Sequence, residues 1–427
     1  MYLEQADLAQ CQAWESELLK EYQNLKGQGL NLDLTRGKPC SEQLSLSDKL
    51  DGILAGKYIS ADGTDCRNYG GLDGLPEAKT LGALLLGTEA SKVLVGGNSS
   101  LTLMFYAVLI GHQFGYGDSS TAWSKQGTVK FLCPVPGYDR HFSICEKLGI
   151  EMISVAMTDS GPDMDAVERL VKQDPSIKGL WCVPKYSNPT GVIYSDETVD
   201  RIAKLGLIAG DGFKVFWDNA YSVHDLESSS ATMLANIESF CQRYGTEDSV
   251  IQFASTSKIT HAGSGLSFLA SSANNLAAIK SVLAIITIGP DKENQLRHCL
   301  LLPDREAISE LMIAHAAIIK PRFDTVLSQL HEAFAESDLG QWQKPKGGYF
   351  IAFDTAPNCA KDVVKLSAEA GVKLTPAGAT FPYGKDPEDR NIRIAPTVPS
   401  VAELEKAMAV FICCVKLASV QRKISTL

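Results

Sequence analysis

No Cys-x-x-Cys pair occurs in the 427 residues, although cysteine itself is not scarce. Eleven cysteines, an odd number, are scattered along the chain, and Cys413 and Cys414 are adjacent, a placement that cannot easily close a bridge. A disulfide framework and a zinc ribbon are therefore not expected; the pattern reads as reduced, mostly buried thiols of a cytoplasmic protein. Positive charge is in deficit, since 40 Lys and Arg against 50 Asp and Glu leave a net charge of −10. A duplex binder would gather cations on one face, so nucleic acid is not expected as a partner, and an acidic substrate would need a local basic pocket. No apolar run approaches bilayer-spanning length without charge, and Ser281 to Pro290 is only a short one. The seven histidines lack metal-ligand spacing, so no metal is assigned. Repeats, low-complexity tracts and proline-rich linkers are missing too. Glu4, Asp7, Glu15 and Glu17 make the first residues a polar, helical run rather than a secretory signal.

What is present is a chain with 45% hydrophobic and 21% charged residues, long enough for a large domain and a smaller one. From about residue 80 to 270, apolar runs of strand length alternate with helical patterns. The strands read as Lys92 to Val95, Val129 to Cys133, Glu151 to Val155, Gly179 to Val183, Lys214 to Trp217, Ser249 to Phe253 and Leu266 to Ala270. This predicts an α/β fold with a buried, mostly parallel seven-stranded sheet flanked by helices. Helices are expected over Asp139 to Leu148, over Met164 to Gln173 behind an Asp163 cap, and from Ser195, where Thr198 offers a partial capping box. After about residue 310 the pattern becomes a long helix, the Lys346 to Phe353 segment, a helix ending at Gly371, a strand from Val372 to Thr375 and a terminal helix from Val401. That is a second, smaller α/β domain.

Three short segments carry the chemistry: Asn188-Pro189-Thr190-Gly191, Asp218-Asn219-Ala220-Tyr221 and Ser255-Thr256-Ser257-Lys258. Alone, each is a turn or a solvated loop more often than a site. Together, with the acid 218 − 188 = 30 residues after the amide and the lysine 258 − 218 = 40 after the acid, they suit pyridoxal phosphate. A lysine at a strand end can bond to its aldehyde, an acid ending the previous strand can pair with the ring nitrogen, and an amide and a phenol can hold the ring oxygen. Lys258 leaves the apolar run Val250 to Ala254, where ligands of open α/β sheets collect. Its amine there could move the substrate's Cα proton, a task worth about 10²–10⁴ in rate. Asp218 ends Phe213 to Trp217, an apolar approach that makes an unpaired carboxylate costly. Asn188 and Tyr221 could both donate to the ring oxygen, and Ala220 is small enough to lie against one ring face. For the phosphate, Gly96-Gly97-Asn98-Ser99-Ser100 supplies backbone donors and hydroxyls between a strand and a helix.

Read with these segments, the chain resembles the class I aminotransferases of the aspartate aminotransferase-like superfamily, which share the PLP-dependent transferase fold (fold-type I). The likeness runs from Leu32-Asp33-Leu34-Thr35-Arg36-Gly37-Lys38-Pro39, through Tyr69-Gly70-Gly71-Leu72-Asp73-Gly74-Leu75-Pro76-Glu77, to Asn391-Ile392-Arg393-Ile394-Ala395-Pro396. Arg36 to Pro39 and Cys133 to Tyr138 are similar to a bacterial branch of aspartate aminotransferases. The resemblance implies a large domain over 56–310 and a discontinuous small domain over 1–55 and 311–427. It implies a ping-pong transfer from an amino acid, aspartate by branch, to a 2-oxo acid such as 2-oxoglutarate. It also implies Ser255 and Ser257 near the phosphate, Arg393 and Gly37 on the substrate α-carboxylate, and a homodimer in which Tyr69 reaches the partner's phosphate. Asn188 then lies on the substrate side as well.

Three departures stand out. Many relatives carry an arginine eight residues after the lysine, where this chain has Leu266 followed by Ser267. The usual ring-covering aromatic aligns with Val135, and Tyr138, three residues on, is expected to approach the cofactor instead. An Arg-Pro pair that binds a distal carboxylate in well-known members aligns with Gly289-Pro290, so Arg36 is the expected substitute, unless a surface ion pair occupies it. Rivals are an aminotransferase for aromatic or aminoadipate donors, a β-lyase or decarboxylase on the same fold, and the effector half of a regulator. A regulator would carry a DNA-binding domain ahead of the Leu32 segment, and only about thirty residues precede it.

Overall fold

The computed structural model describes residues 1–117, 119–227 and 233–427. The central sheet runs, in spatial order, Val93–Val95, Ser267–Ser271, Val250–Ser255, Lys214–Asp218, Ile177–Cys182, Lys130–Val135, Glu151–Thr158 and Gly161–Pro162. The five from Val250–Ser255 to Glu151–Thr158 are parallel. Ser267–Ser271 is antiparallel to both neighbours. All seven expected strands are there, but the sheet has eight: Gly161–Pro162 returns antiparallel onto Met157 and Thr158. Two residues are too few to show a period of two, so this edge leaves no pattern in the sequence.

Every residue of Ile177–Cys182, Lys214–Asp218 and Val250–Ser255 is buried, as a sheet covered on both faces requires. Alternate residues feed different cores: Phe131, Trp181, Phe216 and Phe253 on one face, Leu132, Leu180, Val215 and Trp217 on the other. The crossover helices start on side-chain caps. Asp163 accepts from the Asp165 and Ala166 amides ahead of Met164–Gln173, and Ser195 accepts from the Thr198 amide ahead of Asp196–Lys204.

Helices Leu8–Lys26, Arg305–Phe334 and Val401–Thr426 pack with a three-stranded antiparallel sheet of Gly340–Trp342, Ile351–Thr355 and Asn391–Ile394. Tyr22, Phe323, Phe334, Phe353 and Phe411 lie in their common core. The N-terminal segment is drawn in by the parallel pairing of Leu32–Asp33 with Val372–Lys373. Leu34 belongs to this core, whereas Leu54 packs with the sheet side. Arg305–Phe334 is continuous through residue 310, with Ile308 and Met312 in the sheet-side core and Ile319 and Phe323 in the other. All eleven cysteines are free and buried. Among the described residues no helix is long and apolar enough to cross a membrane, and no cluster of three His, Cys, Asp or Glu side chains could hold a metal ion.

Candidate active site

Lys214–Asp218 and Val250–Ser255 are adjacent and parallel, and Asp218 is in register with Phe253. Both chains leave the sheet at the same end, which brings Asp218 and Lys258 to one cavity of about 800 Å³. Ligands of open α/β sheets collect at strand C-termini for this reason.

Asp218 is buried, and its two oxygens differ. His141 Nε2–H donates to Oδ2 at 3.0 Å, while Oδ1 is buried with no hydrogen-bond partner. An unsatisfied carboxylate oxygen is costly, and a protonated ring nitrogen would satisfy it. His141 is itself fixed: its ring stacks on Trp181 at 4.1 Å and 7°, and Tyr138 meets it edge-on at 4.9 Å. Neither His141 nor Trp181 stands out in the sequence. The sequence offers only its position three residues after Tyr138; in the structure His141 is buried in the first turn of helix Asp139–Lys147.

Lys258 is half-buried, and its Nζ lies 5.1 Å from the centre of the Tyr221 ring and 6.0 Å from that of Tyr349. Desolvation lowers its ammonium pKa, and the Asp218 carboxylate opposes part of that effect. The backbone is anchored through its carbonyl, which accepts from His224 Nε2 at 3.3 Å and Tyr349 Oη at 3.4 Å. Tyr221 is buried, which pushes its phenol pKa well up and keeps it a donor. Ala220 lines the cavity beside it.

A further wall is the start of helix Ser100–Gln113. Asn98, Ser99, Ser100 and Leu101 line the cavity with Ser255 and Ser257. Ser257 donates its hydroxyl to the Asn98 carbonyl at 3.0 Å, and Asn98 Nδ2 donates to the Gly263 carbonyl at 3.1 Å, so this wall and the lysine loop are tied together. Gly97 does not line the cavity, contrary to expectation. Its carbonyl faces away and accepts the Ser267 amide and hydroxyl, both at 2.8 Å. At Gly96 a Cβ would come 2.6 Å from Ser267 Oγ, so a glycine is required for this close approach. Leu266 is fully buried in the apolar core.

Arg393 enters on Asn391–Ile394, above the Phe350 ring at 4.8 Å. Its Nη1 donates to Asp139 Oδ1 at 3.0 Å and Asn188 Oδ1 at 3.2 Å, while Nε to Thr375 Oγ1 and Nη2 to the Thr35 carbonyl are longer, at 3.4 and 3.5 Å. Asn188 Nδ2 makes no hydrogen bond within the described residues. Gly37 lines the same end, where a Cβ would come 2.5 Å from the Phe350 ring. Arg36 and Tyr138 line it too, and burial pushes the Tyr138 phenol pKa up. Thr35, Asp139, Arg140, Phe350 and Thr375 are cavity residues that the sequence did not single out. Tyr69 lies elsewhere, 86% exposed in a separate cleft with Arg67, Ile288 and Gly289.

The site thus holds a desolvated lysine, a buried acid with one oxygen unsatisfied, a serine-lined helix start and an arginine fork. The sequence profile of the aspartate amino-transferase family matches residues 3–426. An aspartate aminotransferase from Corynebacterium glutamicum is 45% identical over 420 residues, covering 98% of this chain and 96% of that protein. A crystal structure of an aspartate transaminase from the same organism superposes with a TM-score of 0.95 at 44% identity, covering 99% of each chain. The fold alone is shared with an α-aminoadipate aminotransferase from Thermus thermophilus, complexed with N-(5'-phosphopyridoxyl)-L-leucine (TM-score 0.74, 18% identity, 98% of this chain and 96% of that one). Fold and sequence agree over nearly the whole length, and the chain belongs to the aspartate amino-transferase family of aminotransferases.

Proposed function

We propose that this aminotransferase uses pyridoxal phosphate to move the amino group of aspartate, or of another dicarboxylic amino acid, to a 2-oxo acid such as 2-oxoglutarate. The 45% identical relative that bears the name aspartate aminotransferase supports the choice of donor. The observation that carries it within the site is Arg36, which lines the cavity and forms no ion pair among the described residues. A surface partner does not occupy it, so its charge is free for a second carboxylate, and a fork suits a carboxylate better than a point charge does.

In this reading Asp218, oriented by His141, holds the protonated ring nitrogen through Oδ1. Asn188 Nδ2 and the Tyr221 hydroxyl serve the ring oxygen, with Ala220 and Tyr138 beside the ring. Asn98, Ser99, Ser100, Ser255 and Ser257 receive the phosphate, joined in a homodimer by Tyr69 of the partner subunit. When bound, pyridoxal phosphate supplies a ring that accepts the electron pair released as the substrate's Cα–H bond breaks. Lys258 carries the proton at Cα, and its lowered pKa makes the neutral amine accessible for that work. Arg393 and Gly37 hold the α-carboxylate; the Nη1 bonds are the short ones, and the longer contacts of Nε with Thr375 and of Nη2 with the Thr35 carbonyl, at 3.4 and 3.5 Å, are those a carboxylate would replace. We place the large domain at 56–310 and the small one at 1–55 and 311–427, with the hinge side of the latter inside helix Arg305–Phe334. The eleven free thiols support a cytoplasmic setting.

A panel of amino acids assayed for amine transfer to 2-oxoglutarate tests the donor. Aspartate or glutamate should lead. Arg36→Met should lower kcat/KM for both by about ten-fold or more, the scale of a hydrogen bond to a charged group, with little change for alanine. Equal losses for all donors, or a wild-type preference for aromatic ones, would contradict the assignment.

A further inference from the structure

Four cations line the cavity: Arg36, Arg140, Lys258 and Arg393. Two of them face acids of the same cavity, Arg393 through its bond to Asp139 and Lys258 across from Asp218. Arg36 and Arg140 face none; among the described residues neither side chain makes an ion pair or a hydrogen bond. Arg140 is also placed where stability does not ask for it. It is the second residue of helix Asp139–Lys147, and the first turn of a helix is where a cation is least favoured. The neighbouring Asp139 could have offset that charge, but its carboxylate is engaged with Arg393.

The location of Arg140 relates it to the carboxylate end of the cavity. Asp139, one residue before it, holds Arg393 Nη1, and Thr35, one residue before Arg36, accepts from Arg393 Nη2. Two uncompensated arginines of the cavity thus each adjoin in sequence a residue bonded to Arg393, one in the N-terminal segment and one at the start of a helix. The serine wall is built instead from Asn98–Leu101 and Ser255–Ser257, which are bonded to each other.

We infer that Arg140 is a specificity-determining residue, which with Arg36 grips the distal carboxylate of a dicarboxylic substrate. The inference rests on the dicarboxylate reading above and adds a second ligand to it. A two-sided grip would let the site select diacids although Gly289-Pro290 aligns with the Arg-Pro pair of well-known members.

The test is titration of succinate and propionate into the pyridoxal phosphate-loaded enzyme, followed by cofactor absorbance, for wild type, Arg140→Met and Arg140→Lys. Arg140 is exposed, so neither variant threatens the fold. Arg140→Met should weaken succinate about ten-fold or more and propionate less than about two-fold, and Arg140→Lys should recover part of the succinate affinity. Pyridoxal phosphate titrated into the apoenzyme should bind Arg140→Met as it binds wild type. A wild type that prefers succinate and an Arg140→Met variant that keeps that preference would overturn the role of Arg140 alone. Equal weakening of both acids, or a fall in pyridoxal phosphate affinity that moves Arg140 to the phosphate, would do the same. A wild type that binds succinate no tighter than propionate would overturn this inference and the dicarboxylate reading together.

Discussion

Asp218 shows how little of a site needs to be written in consecutive residues. One of its oxygens takes a hydrogen bond from His141, and the other is buried without a partner, facing work that a ring nitrogen would complete. Asp218→Ala should keep the fold and lose most turnover. His141→Ala leaves Oδ2 unpaired as well, and should cost about ten- to a hundred-fold in kcat/KM, the scale of one charged hydrogen bond. Steady-state kinetics on variants with wild-type circular dichroism check both, and near-wild-type rates in either would contradict the assigned role. Asp218 and Arg393 were legible because one ends and the other sits in a short apolar run, where a polar group needs a reason, and Asn188 and Lys258 because of their spacing from Asp218. His141 was not, because a single histidine in the first turn of a helix carries no periodicity, and only tertiary packing on Trp181 aims it. Gly97, which does not line the cavity, illustrates a related limit. A glycine pair marks a tight turn but does not say which of the two faces the ligand, and here the carbonyl of Gly97 is spent on Ser267.

The strand Lys214–Asp218 is charged at both ends, and its far end makes a separate prediction. Lys214 is buried, donates to the Asp248 carbonyl and lies 4.7 Å from the Tyr116 ring centre. Burial lowers its pKa to about 8. Below that pH the folded and unfolded chains both hold the proton, and the cost of a buried ammonium is felt in full. Between there and an unfolded value of about 10.4, the unfolded chain binds the extra proton, so this group makes stability rise with pH. Lys214→Met should therefore be more stable than wild type at pH 7, by up to on the order of 3 kcal/mol, and the advantage should shrink by pH 9.5. Urea denaturation at the two pH values measures it, and a gap that does not change with pH would refute the burial cost. Comparing the variant with wild type removes the opposing contribution of the buried thiols, whose pKa values are raised. At this scale the sequence was most readable. Long apolar runs and side-chain caps such as Asp163 and Ser195 have local causes, whereas Gly161–Pro162 pairs only because Glu151–Thr158 is already in place.

Across the whole molecule, the proposed homodimer bears on Tyr69 and the exposed isoleucines. Tyr69 is 86% exposed, Ile285 85% and Ile288 61%, and Tyr69 and Ile288 share a cleft. In the homodimer proposed above a second copy covers Tyr69 and takes it to its own site, so sedimentation at assay concentration should give a homodimer; an active monomer would contradict this. Two cores meet along helix Arg305–Phe334, and the cavity takes Arg36, Gly37, Phe350 and Arg393 from one side and Asp218 and Lys258 from the other. No single stretch of sequence contains that arrangement. It became legible only as a family likeness, and the fold bears the likeness out over 99% of the chain. Lys258 is the residue on which the proposed chemistry depends. Borohydride treatment of the purified, pyridoxal phosphate-loaded protein, followed by peptide mapping, should fix the cofactor on the peptide containing Ser255 to Lys258, and Lys258→Ala should show no covalent label. A label on any other lysine, or one that survives in Lys258→Ala, would contradict the account at its centre.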